Sequence, residues 1–134
     1  KLRSLNPAWE IVKFSESLDF SSLTRHAVTE FPTANGPADY ALFVNGRLLG
    51  IIEAKKVGIN PRNVLEQAKR YAAGAENGPG NWHGYRVPFL YSTNGELLWF
   101  IDVRPEKSVS RQISNFHTSD ALDCFFAKDT KPGS

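Results

Sequence analysis

The sequence predicts an α/β fold in which a mixed β-sheet is flanked by helices. A tight Asn45-Gly46 turn joins two strand-like segments. A helix-like segment follows them in the chain, and further apolar, strand-like segments follow the helix. Because a helix separates the strand that ends near residue 56 from the strand at 87–92, these two strands should pair in parallel through a right-handed crossover. At 134 residues, the chain is long enough for one domain with a buried core.

The first part of the chain carries weaker signals. Residues 9–14 alternate in polarity and are interpreted as a strand, whereas 19–23 resemble a turn or a short helical piece. Residues 24–31 are rich in β-branched and alternating positions, which predicts a second strand. A loop at 33–37 then leads into the hairpin at 38–56.

The segment after the hairpin has the signals of a helix. Asn60 is a suitable N-cap and Pro61 suits the first turn. Gly74 or the glycine-rich stretch at 77–80 should end the helix. Its apolar residues follow helical spacing: Val64, Leu65, Ala68, Tyr71 and Ala72.

The C-terminal part predicts two strands and a helix. Residues 87–92 and 96–103 are apolar strands on either side of Thr93-Asn94-Gly95, which is interpreted as a simple turn. Thr118 could cap a final helix at 119–127, and the tail at 128–134 is expected to be solvated.

Composition narrows the class of protein. Hydrophobic and charged fractions of 41% and 22% are those of a soluble globular domain, and no apolar run could span a bilayer. We therefore expect a cytoplasmic protein without membrane contact. The net charge of +2 permits a polyanionic partner without requiring one. The start at Lys1 suggests a fragment of a longer chain, and Cys124 is interpreted as a small core residue.

Asp39, followed after thirteen residues by Glu53-Ala54-Lys55, forms the candidate catalytic site. Glu53 ends an apolar strand, and because side chains alternate along a strand, Glu53 and Lys55 point the same way. Burying these charges is unfavourable in free energy unless they coordinate a ligand or are well hydrogen-bonded. We predict that Asp39, Glu53 and the backbone carbonyl of Ala54 bind a divalent metal, with Lys55 beside the attacking water. A structural Glu53–Lys55 ion pair is the alternative.

The hairpin register tests this prediction. With a two-residue turn and no bulge, Asp39 would face Ile52 and lie on the opposite side of the sheet from Glu53. With a three-residue loop at 44–46, Asp39 would face Ile51 and lie diagonal to Glu53 on one side. A shared metal therefore requires an odd loop or a bulge.

These residues resemble known nuclease motifs. Asp39 with Glu53-Ala54-Lys55 resembles the PD-(D/E)xK signature, and Gln67 with Tyr71 resembles the QxxxY element of some branches of that superfamily. The phrases at 30–44, 91–95 and 116–118 look like the N-terminal nuclease domain of type I restriction endonuclease R subunits. The resemblance covers roughly residues 24 to 120.

The resemblance implies a restriction-endonuclease-like fold and Mg²⁺-dependent cleavage of double-stranded DNA, the activity of a type I site-specific deoxyribonuclease. It also implies an ATP-driven, helicase-like motor downstream, and modification and specificity subunits as partners in bacterial defence. Gln67 and Tyr71 would hydrogen-bond the active-site lysine region or the DNA backbone; the alternative is that Tyr71 is an ordinary core residue and Gln67 an exposed helix former. The family's acidic first helix is not evident, so it lies before Lys1, or Glu10 or Glu16 replaces it.

Other readings stay open at the level of sequence. The domain could be a non-catalytic DNA-binding or subunit-docking module on the same fold, or a junction resolvase or repair nuclease. Glu30 could reach the site or be solvated. Four basic residues could contact phosphates or only solvent: Lys56, Arg62, Lys69 and Arg70. Three histidines show no metal-ligand spacing and are expected to be structural or exposed: His26, His83 and His117.

Overall fold

The structure, a computed structural model, describes residues 9–55, 61–75, 78–94, 96–105 and 109–127. Within these ranges it contains one seven-stranded sheet, two α-helices and a short 3-10 turn at Phe20–Ser22. The strands are β1 (Glu10–Lys13), β2 (Arg25–Thr33), β3 (Gly36–Val44), β4 (Arg47–Ala54), β5 (Phe89–Thr93), β6 (Leu98–Asp102) and β7 (Arg111–Gln112). The helices are α1 (Pro61–Ala73) and α2 (Ser119–Ala127). Neither is long and apolar enough to cross a membrane.

The strands lie across the sheet in the order of the chain, from β1 to β7. β1 pairs with β2 in parallel and β4 pairs with β5 in parallel, whereas the remaining neighbours are antiparallel. The chain passes through α1 between β4 and β5. The predicted mixed sheet and the parallel pairing across a helix are therefore confirmed.

Both faces of the sheet are covered, which explains the sequence of β4. The α1 face carries Val28, Ala41, Phe43, Ile51 and Leu90, packed with Ala68, Tyr71 and Ala72 of α1. The α2 face carries Ala27, Leu42, Leu49, Ile52 and Tyr91, packed with Leu122 of α2. All six residues from 48 to 53 in β4 are buried, so this strand has a continuous apolar run that ends in a buried acid.

The hairpin between β3 and β4 combines a two-residue turn with a bulge. Val44 pairs with Arg47, and both turn residues have positive φ, 50° at Asn45 and 79° at Gly46. That is the backbone of a type I′ turn, for which Asn-Gly is well suited. One step further, Phe43 pairs with Leu48 but Leu42 pairs with Gly50. Leu49 is therefore an extra residue on β4.

Some expectations from the sequence are corrected. β7 was not predicted, because two exposed residues carry no periodic pattern. The strands expected from 87 and 96 begin at Phe89 and Leu98. Cys124 is exposed, so the prediction that it is a core residue was wrong. Two positions along a helix turn the side chain by roughly 200°, so Cys124 points away from the sheet that Leu122 contacts.

The C-terminal helix begins as predicted. The Thr118 hydroxyl accepts a hydrogen bond from the Ala121 N–H at 3.1 Å, which makes Thr118 its N-cap. Asn60, the expected N-cap of α1, and the tail at 128–134 lie outside the described residues.

Replacing Gly46 should destabilise the protein because of both its backbone and its surroundings. A Cβ at Gly46 would be strained at φ 79° and would lie 3.2 Å from the Ser21 carbonyl oxygen. We expect Gly46→Ala to lower the free energy of unfolding by about 1–2 kcal/mol in urea denaturation. Gly84→Ala is the matched control, because φ is 93° there but nothing lies within 4 Å. Equal losses for both variants would contradict the role of the Ser21 contact.

Candidate active site

The bulge brings Asp39 and Glu53 to adjacent positions on neighbouring strands. Beyond Leu49, Ala41 pairs with Ile51 and Tyr40 with Ile52, so the next step places Asp39 opposite Glu53. Ala41 and Ile51 belong to the α1 face, and residues two positions further along a strand share a face. The hairpin thus has the bulge that a shared metal requires. The acids are direct neighbours, rather than diagonal ones as a three-residue loop would give.

Asp39 is fixed to the end of β4. Its Oδ2 accepts a hydrogen bond from the Ala54 N–H at 2.7 Å, one position beyond Glu53. On the other side of β4, the Lys55 N–H donates to the Thr93 carbonyl of β5 at 2.9 Å. Because N–H and C=O point in opposite directions in a trans peptide, the Ala54 carbonyl points away from β5 and toward β3. The N–H and C=O of Ala54 therefore both face the strand that carries Asp39.

Glu53 is a buried acid that is incompletely satisfied. The residue is 2% exposed, and its Oε2 has no hydrogen-bond partner. Its Oε1 lies 3.6 Å from Nζ of Lys55, whose side chain is 38% exposed. Burial, followed by the negative charge of Asp39, raises the pKa of Glu53 to about 7, and the Lys55 ammonium only partly opposes this shift.

The donor set fits a hard divalent cation such as Mg²⁺. Mg²⁺ takes oxygen ligands, typically one or two carboxylates with the remaining positions held by water. Asp39 and Glu53 supply the carboxylates, and the Ala54 carbonyl faces the same region. A bound cation would give the Glu53 oxygen a partner and reduce the repulsion between the two carboxylates. Lys55 alone is too far from Glu53 for a hydrogen bond, so a simple ion pair explains the site less completely.

A third acidic ligand does not appear among the described residues, which contain no group of three or more Asp, Glu, His or Cys able to hold a metal. Glu10, one candidate for the missing acid, pairs instead with His26 at 2.9 Å. Glu16, the other candidate, lines a separate groove. Glu30 lies across from Asp39 in the register but is exposed, with a φ of 52°.

Gln67 and Tyr71 lie one turn apart on α1 and are hydrogen-bonded to each other, with 2.7 Å between Gln67 Nε2 and the Tyr71 hydroxyl. Tyr71 belongs to the α1 face that also carries Glu53, and its ring lies 3.2 Å from where a Cβ on Gly36 would be. Since Gly36 begins β3, the pair packs beside the strand that carries Asp39. The bond leaves the Tyr71 hydroxyl hydrogen able to donate to a further group.

The basic residues near the site differ in their environments. Lys69 forms an ion pair with Glu66 at 3.0 Å, which reduces its availability for phosphate, whereas Arg70 is exposed. Lys56 and the side chain of Arg62 lie outside the described residues.

The three histidines each have a neighbour other than Asp39 and Glu53. His26 binds Glu10, and His83 lies 3.3 Å from the Arg104 carbonyl. His117 Nδ1 lies 2.7 Å from the Tyr91 hydroxyl. Burial and the neighbouring charge of Arg111 lower the pKa of His117, which favours its neutral form.

The sequence did not indicate that the segment Thr93-Asn94 contacts the candidate site. It was interpreted as a simple turn, and the side chain of Asn94 does accept hydrogen bonds from two turn N–H groups. Thr93 also holds the Lys55 N–H, which ties the turn to the site. The predicted parallel pairing of β4 with β5 was the signal that could have indicated this contact.

Comparison with known families gives one family match. Residues 10–125 match the family described as the second domain of the type I restriction enzyme EcoKI endonuclease subunit. This range includes the whole sheet and the residues Asp39, Glu53 and Lys55. The description places the domain second in its subunit, whereas the sequence resemblance indicated an N-terminal one; the type I endonuclease subunit is common to both. No curated protein and no solved structure matches.

The raised pKa of Glu53 predicts a pH-dependent stability. The folded state keeps the Glu53 proton up to a pH of about 7, whereas the unfolded chain loses it near 4.5. Stability should therefore fall as pH rises between these values, by about 3 kcal/mol. Glu53→Gln should remove this fall, as measured by urea denaturation from pH 4 to 8 in the presence of a metal chelator.

Glu66→Gln is the matched control, because the Glu66 side chain is 71% exposed and should leave the pH profile unchanged. A wild-type profile that coincides with that of Glu53→Gln would contradict the assigned environment of Glu53.

Proposed function

We infer that this chain, which belongs to the family of the second domain of the EcoKI type I restriction endonuclease subunit, hydrolyses phosphodiester bonds of double-stranded DNA with Mg²⁺. The observation that carries the proposal is the pair of Asp39 and Glu53, with a buried and unpartnered Glu53 oxygen at the end of the central strand. A structural acid would normally have its hydrogen bonds completed by protein groups.

The residues of the site have distinct roles in the proposed chemistry. Asp39, Glu53 and the Ala54 carbonyl would hold Mg²⁺, which supplies a more acidic water and neutralises phosphate charge when bound. The Ala54 N–H fixes the Asp39 carboxylate, so this ligand is oriented before a metal arrives. Lys55 is exposed enough to reach solvent and stays beside Glu53, where its ammonium can orient the attacking water and attract the scissile phosphate.

Protonation of Glu53 should govern metal binding. A carboxylic acid must lose its proton to become a metal ligand, and the pKa of Glu53 is about 7 without metal. Affinity for Mg²⁺ should therefore increase as pH rises toward neutrality. Near neutral pH the site can change between a protonated, metal-free state and an ionised, metal-bound state.

Gln67 and Tyr71 would help to position the DNA. Their mutual hydrogen bond holds both side chains in one arrangement on the α1 face, and the free donor capacity of the Tyr71 hydroxyl suits a phosphate oxygen. Arg70, which is exposed on the same helix, can add a contact to the phosphate backbone of the DNA.

The proposal includes the assembly that the sequence resemblance to type I restriction subunits implies. The domain would act within a longer endonuclease subunit, in the cytoplasm, with an ATP-driven motor and with modification and specificity subunits. Two alternatives are tested by the experiments below. One is a non-catalytic DNA-binding or docking module, and the other is a resolvase or repair nuclease.

The first experiment removes each catalytic group from the full-length subunit. Asp39→Ala, Glu53→Ala and Lys55→Ala should each abolish DNA cleavage, because the three side chains act together in one reaction. ATP-driven translocation should stay intact, because the proposed motor lies in another part of the subunit. Lys69→Ala is the matched control, a lysine of α1 that is paired with Glu66, and should retain cleavage. Normal cleavage by all three variants would favour the docking module.

The second experiment measures what the 134 residues do alone. A net charge of +2 gives a weak hold on the phosphate backbone, so the duplex must be delivered by the rest of the complex. Binding to a short duplex should have a Kd of about 10⁻⁴–10⁻⁶ M that weakens steeply with salt, with little Mg²⁺-dependent cleavage. Tight, salt-insensitive binding with efficient cleavage would instead support a self-sufficient repair nuclease or resolvase.

A further inference from the structure

Asn94 lies at the end of β5, beside the metal-binding residues but not among them. It is 6% exposed, and its Oδ1 accepts hydrogen bonds from the Glu96 N–H at 2.9 Å and the Leu97 N–H at 2.8 Å. Its own N–H donates to the Leu97 carbonyl at 3.3 Å. The amide side chain therefore completes the hydrogen bonding of the connection between β5 and β6.

The connection that Asn94 stabilises is joined directly to the site. Thr93, the preceding residue, is the last residue of β5 that pairs with β6, through Leu98, and its hydroxyl donates to the Leu97 carbonyl at 2.8 Å. On its other side, Thr93 pairs with Ala54 and its carbonyl accepts the Lys55 N–H. The position of Thr93 therefore sets the orientation of the peptide between Ala54 and Lys55.

We propose that Asn94 is a positioning residue for the metal-binding site. By fixing the turn it holds the Thr93 carbonyl in place, the Thr93 carbonyl holds the Lys55 N–H, and the Ala54 carbonyl is thereby aimed toward Asp39. The same bond keeps Lys55 at the end of β4, where its side chain lies beside Glu53. Groups that orient metal ligands typically change metal affinity by about 10–100-fold when they are removed. This inference rests on the proposed Mg²⁺ site.

A metal-independent measurement tests the structural step. In the full-length subunit, Asn94→Ala should accelerate hydrogen exchange of the Lys55 amide by about tenfold or more, because two turn hydrogen bonds are lost. The Ile51 amide, in the middle of β4, should exchange as in wild type. Asn94→Asp retains an oxygen that can accept both N–H groups and should restore slow exchange at Lys55. Unchanged Lys55 exchange in Asn94→Ala would overturn the inference.

A calorimetric titration with Mg²⁺ in the absence of ATP tests the consequence. Asn94→Ala should bind Mg²⁺ about 10–100-fold more weakly than wild type, and Asn94→Asp should bind nearly as wild type. Gly46→Ala destabilises the hairpin of β3 and β4 at its turn, away from Asn94, and should retain affinity, which separates positioning from general loss of stability.

The titration also distinguishes this inference from the proposed function. If Glu53→Ala loses Mg²⁺ binding and Asn94→Ala does not, the positioning role is wrong and the metal site stands. If wild type and Glu53→Ala bind Mg²⁺ equally, the metal site itself is wrong.

Discussion

The register of β4 against β3 is the constraint on which the site depends. A two-residue Asn-Gly turn alone would place Asp39 and Glu53 on opposite faces of the sheet, because strand side chains alternate. The additional residue at Leu49 shifts the pairing by one position and returns Glu53 to the face of Asp39. The turn keeps its favourable Asn-Gly geometry, and the bulge supplies the change in register. One backbone irregularity therefore allows a well-formed hairpin and a shared carboxylate site to coexist.

The burial of Glu53 links this geometry to chemistry. β4 is covered on both faces, so the acid at its end is removed from water at the point where the apolar run stops. Desolvation and the nearby Asp39 both oppose ionisation, and the partly exposed Lys55 compensates only in part. A cation bound by both carboxylates would relieve both effects. The site is thus energetically incomplete by itself, which is expected where binding energy is used for function rather than for stability.

The opposite face of the sheet has a second polar cluster, built around Tyr91 and His117. Tyr91 and His117 are hydrogen-bonded at 2.7 Å, and the Trp9 indole N–H donates to the His117 carbonyl at 3.0 Å. Burial raises the pKa of the Tyr91 hydroxyl, and burial together with the charge of Arg111 lowers the pKa of His117, so both groups favour their neutral forms. The aromatic rings of Phe100 and Phe125 pack edge-on against His117. These contacts join the chain before β1, β5 and the segment before α2.

The sequence by itself determined the order of the principal elements and the chemical types at the site. The Asn-Gly turn, the Pro-initiated helix and the apolar runs are local signals, and each depends on residues close together in the chain. Only the tertiary structure decided where the extra β4 residue lies, that Glu53 keeps an unpartnered oxygen, and that the Thr93 carbonyl holds the Lys55 amide. It also placed Cys124 on the outside of α2 and added β7, whose two residues have no pattern of their own. These features depend on pairing between distant strands, so no local pattern could specify them.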